Sequence, residues 1–169
     1  MRKLLLIGIP LAVLFFAASA TNTYAQDTPK GEFFAGYSYM YDDVGNGHLN
    51  LNGFETSGAV NVNKWFGVVG DFSGHFGDHD HYSYMGGPRF TYRAGRVTPF
   101  AQVLFGGDTV AKGGSNTAFA MAVGGGVDAR INDNVTFRIV QVDYHPLFYD
   151  NVAQNVRVST GIVFTFGKK

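Results

Sequence analysis

Glu55, Asp71, Arg89, Asp128 and Arg138 each sit in a run that alternates apolar residues with polar or small ones, and each lies on the polar side of its run. Opposite charges gathered in one interior would form a salt-bridge network, because buried charges are paired by default. A second cluster is His75-Phe-Gly-Asp-His-Asp-His81, with His79, His81, Asp78 and Asp80 within four residues. Imidazoles and carboxylates this close can ligate Zn, Cu or Ni. No second cluster completes a ligand set, so the segment reads as a solvated loop and no metal is expected. His81-Tyr-Ser83 places an imidazole two residues from a hydroxyl that it could activate as a nucleophile. However, the alternation puts Ser83 on the same side as Arg89. Gly124-Gly125-Gly126 is followed by no Lys-Ser or Lys-Thr and opens no helix. It reads as strand packed closely enough to need small residues, not as a phosphate loop.

The elements that would position these residues are eight period-two runs. Glu32–Tyr41 carries Phe33, Ala35, Tyr37, Tyr39 and Tyr41 on one face. Gly53–Asn63, Phe66–Phe76 and Tyr82–Arg93 continue the pattern, with Glu55, Asp71 and Arg89 on their polar sides. Pro99–Asp108 and Ala118–Arg130 follow, the second carrying Asp128. Val135–Tyr144 breaks phase, because Arg138 is even while Gln141 and Asp143 are odd; a bulge near Ile139-Val140 would repair it. The last run, Arg157–Phe166, sets Val158, Thr160, Ile162, Phe164 and Phe166 against Arg157, Ser159, Gly161, Val163 and Thr165. Pro88 lies inside the fourth run, where a local bulge or a water is expected, since proline has no N–H for a ladder. Pro99 only opens the fifth.

The connections alternate in kind. Those near Lys64, Ala94-Gly95-Arg96 and Ile131–Asn134 are short. Those over Asp42–Leu51, Gly77–His81, Thr109–Thr117 and His145–Gln154 read as long loops rich in Asp, Gly, His and Asn. Aromatics gather towards both ends of the runs. Tyr39, Tyr41, Phe72, Phe76, Tyr82, Tyr84, Phe105, Phe119 and Tyr144 form one group, and Trp65, Phe66, Tyr92, Phe137, Phe164 and Phe166 the other. Two such girdles belong at the two interfaces of a membrane.

Composition bounds the alternatives. With 16 Phe, 9 Tyr and 23 Gly, the chain is unlike a disordered one, and past its N-terminus no stretch keeps helical spacing. Met1–Ala25 reads as a cleaved export signal: Arg2 and Lys3, an apolar core Leu4–Ala18, then Thr23-Tyr24-Ala25 before Gln26. A cut after Ala18-Ser19-Ala20 is the alternative. Residues 26–169 then form one domain with 11 basic and 13 acidic residues, since Arg2 and Lys3 leave with the signal. A charge balance so close to neutral argues against nucleic acid or an anionic lipid surface as the main partner. There is no cysteine, so no disulfide framework holds this exported chain.

A soluble eight-stranded barrel would put apolar residues inside and polar ones outside. Here that would bury Glu55, Asp71, Arg89, Asp128 and Arg138 in an apolar core, at several kcal/mol each unless paired. The expectation is therefore an all-β, eight-stranded, antiparallel up-and-down transmembrane barrel with both termini at the periplasmic rim.

Four segments carry a resemblance to the small outer-membrane barrels of the outer-membrane-protein-A-like or OmpX-like type. They are Phe34-Ala-Gly-Tyr-Ser-Tyr39, Gly86-Gly-Pro-Arg-Phe-Thr-Tyr-Arg93 with Thr98-Pro-Phe100, Gly124-Gly-Gly-Val-Asp128, and the final strand. Ser159, Gly161, Phe164 and Phe166 match the polar-x-Gly-x-x-aromatic-x-aromatic pattern of that strand, which the resemblance marks as the assembly signal. The chain departs from it by ending in Gly167-Lys168-Lys169. The resemblance implies a Gram-negative outer-membrane location, with lipid and the barrel-assembly machinery as partners. No peptidoglycan-binding domain is expected. His81-Tyr-Ser83 is also similar to the His-x-Ser pair of outer-membrane lipid A deacylases, though such a pair must face lipid.

Taken together, these features point to a monomeric, non-enzymatic barrel with no cofactor. Its role would be structural or surface-interacting, with the lumen filled by charged side chains and the loops open to an extracellular ligand. A narrow gated pore is the alternative, and a lipid-modifying enzyme the third.

Overall fold

A computed structural model describes residues 28–43, 47–77, 80–111, 115–148 and 152–168. The export signal, Met1–Ala25, lies outside the described residues, as do Asp78 and His79 of the histidine cluster. Eight strands run in chain order: β1 (Pro29–Asp43), β2 (His48–Asn61), β3 (Phe66–Phe76), β4 (Asp80–Thr91), β5 (Val97–Ala111), β6 (Ser115–Arg130), β7 (Val135–Phe148) and β8 (Val152–Lys168). Each pairs antiparallel with its sequence neighbour, and β8 pairs with β1 to close a barrel. Closure leaves no sheet edge, which is what hydrocarbon demands of a spanning sheet.

The register fixes the tilt. Cross-strand partners lead from Thr91 through Phe100, Gly126, Gln141, Ser159, Ser38, Gly53 and His75. The circuit returns to β4 at His81, ten residues along the same strand. Eight strands with that stagger lean about 40° from the barrel axis, and the bore is just wide enough for side chains.

Alternation turns this barrel inside out relative to a soluble one. Glu55, Ser73, His75, Asp108, Arg138, Gln141, Asp143 and Arg157 are fully or almost fully buried inside. Phe33, Tyr37, Phe72, Tyr84, Phe90, Phe105, Phe119 and Phe164 stand exposed outside. Aromatic rings pair across strands at both ends, Trp65 with Tyr92 at 5.8 Å and Phe119 with Phe148 at 5.8 Å between centroids. One wall of the lumen is apolar, formed by Ala59, Val69, Met85, Leu104, Ala120, Ala122 and Leu147. The rest is polar.

The bulge expected in β7 is present. The register against β8 shifts between Arg138 and Gln141, and that against β6 between Val127 and Asp128. Ile139 and Val140 both face outward, so Arg138, Gln141 and Asp143 can all face inward. Of the two expectations at Pro88, the bulge is absent. The β4–β5 ladder skips Gly87 and Pro88 and resumes at Arg89–Gln102 in the register it held at Gly86–Phe105. A bulge there would have inverted the parity and driven Arg89 into lipid. The gap avoids that and leaves Pro88 paired with Val68 on the β3 side.

The loop expectation also needs correction. Strand extends through most of Asp42–Leu51, Gly77–His81, Thr109–Thr117 and His145–Gln154, so only 44–47, 77–79, 112–114 and 149–151 connect the strands at that rim. The cause is that inward and outward alternation continues there. Leu51, His81, His145 and Leu147 are buried inside, and Phe148 faces out. Polar composition had disguised this strand as loop, because in an inside-out barrel polar residues belong to the core.

Candidate functional site

The lumen holds the site. All five charged residues singled out in the sequence point into it: Glu55, Asp71, Arg89, Asp128 and Arg138 are each at most 6% exposed. They do not form one cluster, however. The residue that gathers three carboxylates is Arg157 of β8. Its Nη1 donates to Asp71 Oδ1 at 2.8 Å and to Ser73 Oγ at 3.1 Å, and its Nη2 donates to Asp143 Oδ2 at 2.9 Å. Its Nε lies 3.4 Å from Glu55 Oε2. A guanidinium has five N–H donors in a planar fork, which suits it to a ring of carboxylates.

Below this hub, towards the turn rim, Arg138 forms a two-pronged pair with Asp128. Nε donates to Oδ1 at 2.8 Å and Nη2 to Oδ2 at 3.1 Å. Gln141 joins the two centres, accepting from Arg138 Nη1 at 2.6 Å while its Nε2 donates to Glu55 at 2.8 Å and Asp143 at 2.6 Å. Arg89 contacts none of the other four. It donates to Gln102 Oε1 from Nε and Nη2, and its nearest carboxylate is Glu32, 3.9 Å away. Gln102 in turn donates to Asp143 at 3.2 Å.

Two buried rings complete this lower layer. The Arg138 guanidinium carbon sits 4.3 Å from the Phe34 centroid and 4.4 Å from that of Phe100, and Arg89 lies 4.6 Å from Phe100. A desolvated cation on an aromatic face gains about 2 kcal/mol. Phe100 therefore lies against two guanidinium groups, and the layer is closed by charge and ring together.

At the closing seam, Ser159 belongs to the same network. Its Oγ donates to Glu55 Oε2 at 2.5 Å and lies within hydrogen-bond distance of Ser38 Oγ at 2.9 Å, and Ser38 Oγ is bonded to His75 Nε2 at 2.8 Å. Gly161 faces Gly36 across the seam. Phe164 and Phe166 face outward, 42% and 57% exposed. The residues of the final-strand pattern thus divide into one lumen contact, one close backbone approach and two lipid-facing rings.

The outer end of the lumen holds the histidines. His81 is no solvated loop residue: it is 3% exposed, with Nδ1 3.2 Å from Asp108 Oδ1 and Nε2 3.5 Å from Asp42. His145 Nε2 stands 3.8 Å from the other Asp108 oxygen. Asp80 is only half-buried. Among the described residues, no group of three His, Cys, Asp or Glu side chains is placed to hold a metal ion. Ser83 is buried too, and its Oγ pairs with Ser73 Oγ at 2.7 Å. His81 and Ser83 both face the lumen, so this pair is turned away from lipid. Triple glycine 124–126 lies within β6, where added Cβ atoms would meet β5 or β7 backbone.

Arg157, Asp143, Gln102, Gln141 and Asp108 were not among the sequence candidates. The same parity rule marks all five, since each lies on the polar side of its run. Parity alone does not say which inward residues meet, so none of the five stands out from its run.

No family model and no curated relative matches the chain. Solved structures do. Neisserial surface protein A (NspA) superposes with a TM-score of 0.69 at 17% identity, over 81% of this chain and 97% of that one. Ail, the attachment invasion locus protein of Yersinia pestis, gives 0.60 at 20% identity, over 82% and 99%. The outer membrane protein OprG of Pseudomonas aeruginosa gives 0.56 at 11%, over 83% and 98%. The inward charges, the outward rings, the closed register and these superpositions agree: the chain has the fold of the small eight-stranded outer-membrane barrels.

Proposed function

We propose that this is a monomeric outer-membrane barrel with a structural or surface-interaction role, exported by its N-terminal segment, and that it neither conducts nor catalyses. The observation that carries the reading is the filled lumen. Arg157 with Glu55, Asp71 and Asp143, and Arg138 with Asp128, Phe34 and Phe100, occupy successive cross-sections of a bore with room for little else. A barrel plugged in this way offers its surroundings a rigid body and an outer rim. The names of two solved relatives in fold, a surface protein and an attachment protein, suit that use. The partners would be lipid along the outer wall, the barrel-assembly machinery through Ser159, Gly161, Phe164 and Phe166, and an extracellular ligand at the outer connections.

Planar-bilayer recording of the purified, refolded protein tests the reading. The expected trace has no stepwise currents at any holding potential. Well-resolved unitary openings would replace the plug with a gated pore.

A further inference from the structure

The rim bearing the short turns is unlike the outer one in charge. Lys30 opens β1, Lys64 lies in the turn 62–65, Arg96 in the turn 92–96, and Arg130 closes β6. Lys30, Lys64 and Arg96 are exposed and Arg130 is half-exposed. The carboxylates on this side are engaged inward: Glu32 accepts from Arg93 and Asn61 at 2.8 Å each, and Asp128 is held by Arg138. Asp133, in the last turn, is the one other acid among the described residues of this rim.

One of these cations, Lys64, stands beside lipid-facing rings. Lys64 Nζ lies 5.4 Å from the centroid of Trp65, whose ring packs on Tyr92, and the next residue, Arg93, donates from Nη1 to the Lys64 carbonyl at 2.8 Å. Trp65, Tyr92 and Phe166 are about half-exposed on the outer wall. Amphipathic rings mark the depth where hydrocarbon meets water. A lysine at that depth keeps its stem among the chains and lifts its ammonium to the headgroups.

We infer that the turn rim, through Lys64 beside the Trp65–Tyr92 pair and through Arg96 and Arg130, whose backbones are bonded to each other at 2.8 Å, is a docking surface for anionic phospholipid headgroups. The partner is fixed by charge complementarity and depth together. A phosphodiester without a compensating amine leaves net negative charge at the level of the ring edges, where Lys64 is. That the leaflet concerned is the periplasmic one rests on the outer-membrane reading; the headgroup preference does not.

Native mass spectrometry of the intact protein provides the test, using mixed micelles with equal amounts of phosphatidylglycerol and phosphatidylethanolamine of identical acyl chains. The wild type is expected to retain phosphatidylglycerol preferentially. The triple variant Lys64→Gln, Arg96→Gln, Arg130→Gln should lower that preference by about a hundredfold, as each basic group near an anionic surface contributes a comparable, severalfold factor. Its heat-modifiability on gels should not change, because none of the three fills the lumen. If the triple variant fails to fold, Lys64→Gln alone should lower the preference severalfold. Equal retention of both lipids by the wild type overturns the inference, as does a folded variant that keeps the preference. Fractionation of the protein away from outer membranes would instead defeat the proposed function, while leaving the headgroup preference intact.

Discussion

Replacing Arg157 by alanine is expected to destabilise the barrel by about 3–5 kcal/mol, the usual cost of removing one partner from a buried ion pair. The reason is what remains. Glu55, Asp71 and Asp143 are each at most 5% exposed, and all three lean on this one guanidinium. Without it, like charges face each other in a medium that cannot screen them. Gln141 and Ser159 would still bond to Glu55, but neutral donors do not cancel net charge. Arg157→Lys should recover only part of the loss, since an ammonium cannot reach three carboxylates with a planar fork. Arg89→Ala makes a useful contrast. Arg89 leans mainly on neutral Gln102, so its loss strands no carboxylate cluster and should cost less. Urea unfolding followed by the gel shift between folded and heated forms would measure all three. A midpoint for Arg157→Ala within error of wild type would contradict the hub.

Gly161→Val is expected to abolish closure rather than weaken it. Gly161 and Gly36 are partners across the β8–β1 seam. A Cβ at position 161 would run into the Ala35 carbonyl and the Gly36 backbone, and neither can swing aside as a side-chain tip could. An open seam would expose a row of unpaired N–H and C=O groups to hydrocarbon, at several kcal/mol per group. The variant should therefore give no heat-modifiable band and accumulate as aggregate. Gly58→Val is the control, because a Cβ there meets nothing within 4 Å and points outward. It should fold normally. A folded Gly161→Val barrel would show that the strands can part at this seam, against the present register.

Period-two alternation made much of this architecture legible in the sequence. It located all eight strands, the inward face and the β7 bulge, because one rule of parity governs every residue of an up-and-down barrel. It is masked where composition is polar. His81, His145 and Leu147 resemble loop because their neighbours are polar, although the parity carries through them. Register was not legible either. That Glu55, Asp71 and Asp143 converge on Arg157 depends on a ten-residue stagger accumulated around eight strands, and no local spacing encodes it. Pro88 shows a related limit. A missing N–H predicts an interruption, but whether it becomes a bulge or a gap is decided by Arg89 needing to stay inside.

The barrel is closed between its first and last strands, with Phe33 opposite Phe164 on the lipid face. Because the chain has no native cysteine, Phe33→Cys with Phe164→Cys supplies a clean probe. Oxidised in isolated outer membranes, this pair should form an intramolecular disulfide whose band resists the heat-induced shift until reduced, whereas Phe33→Cys with Phe166→Cys should not. Cross-links only between molecules, none at all, or preferential bonding of the 33–166 pair would contradict the closed register.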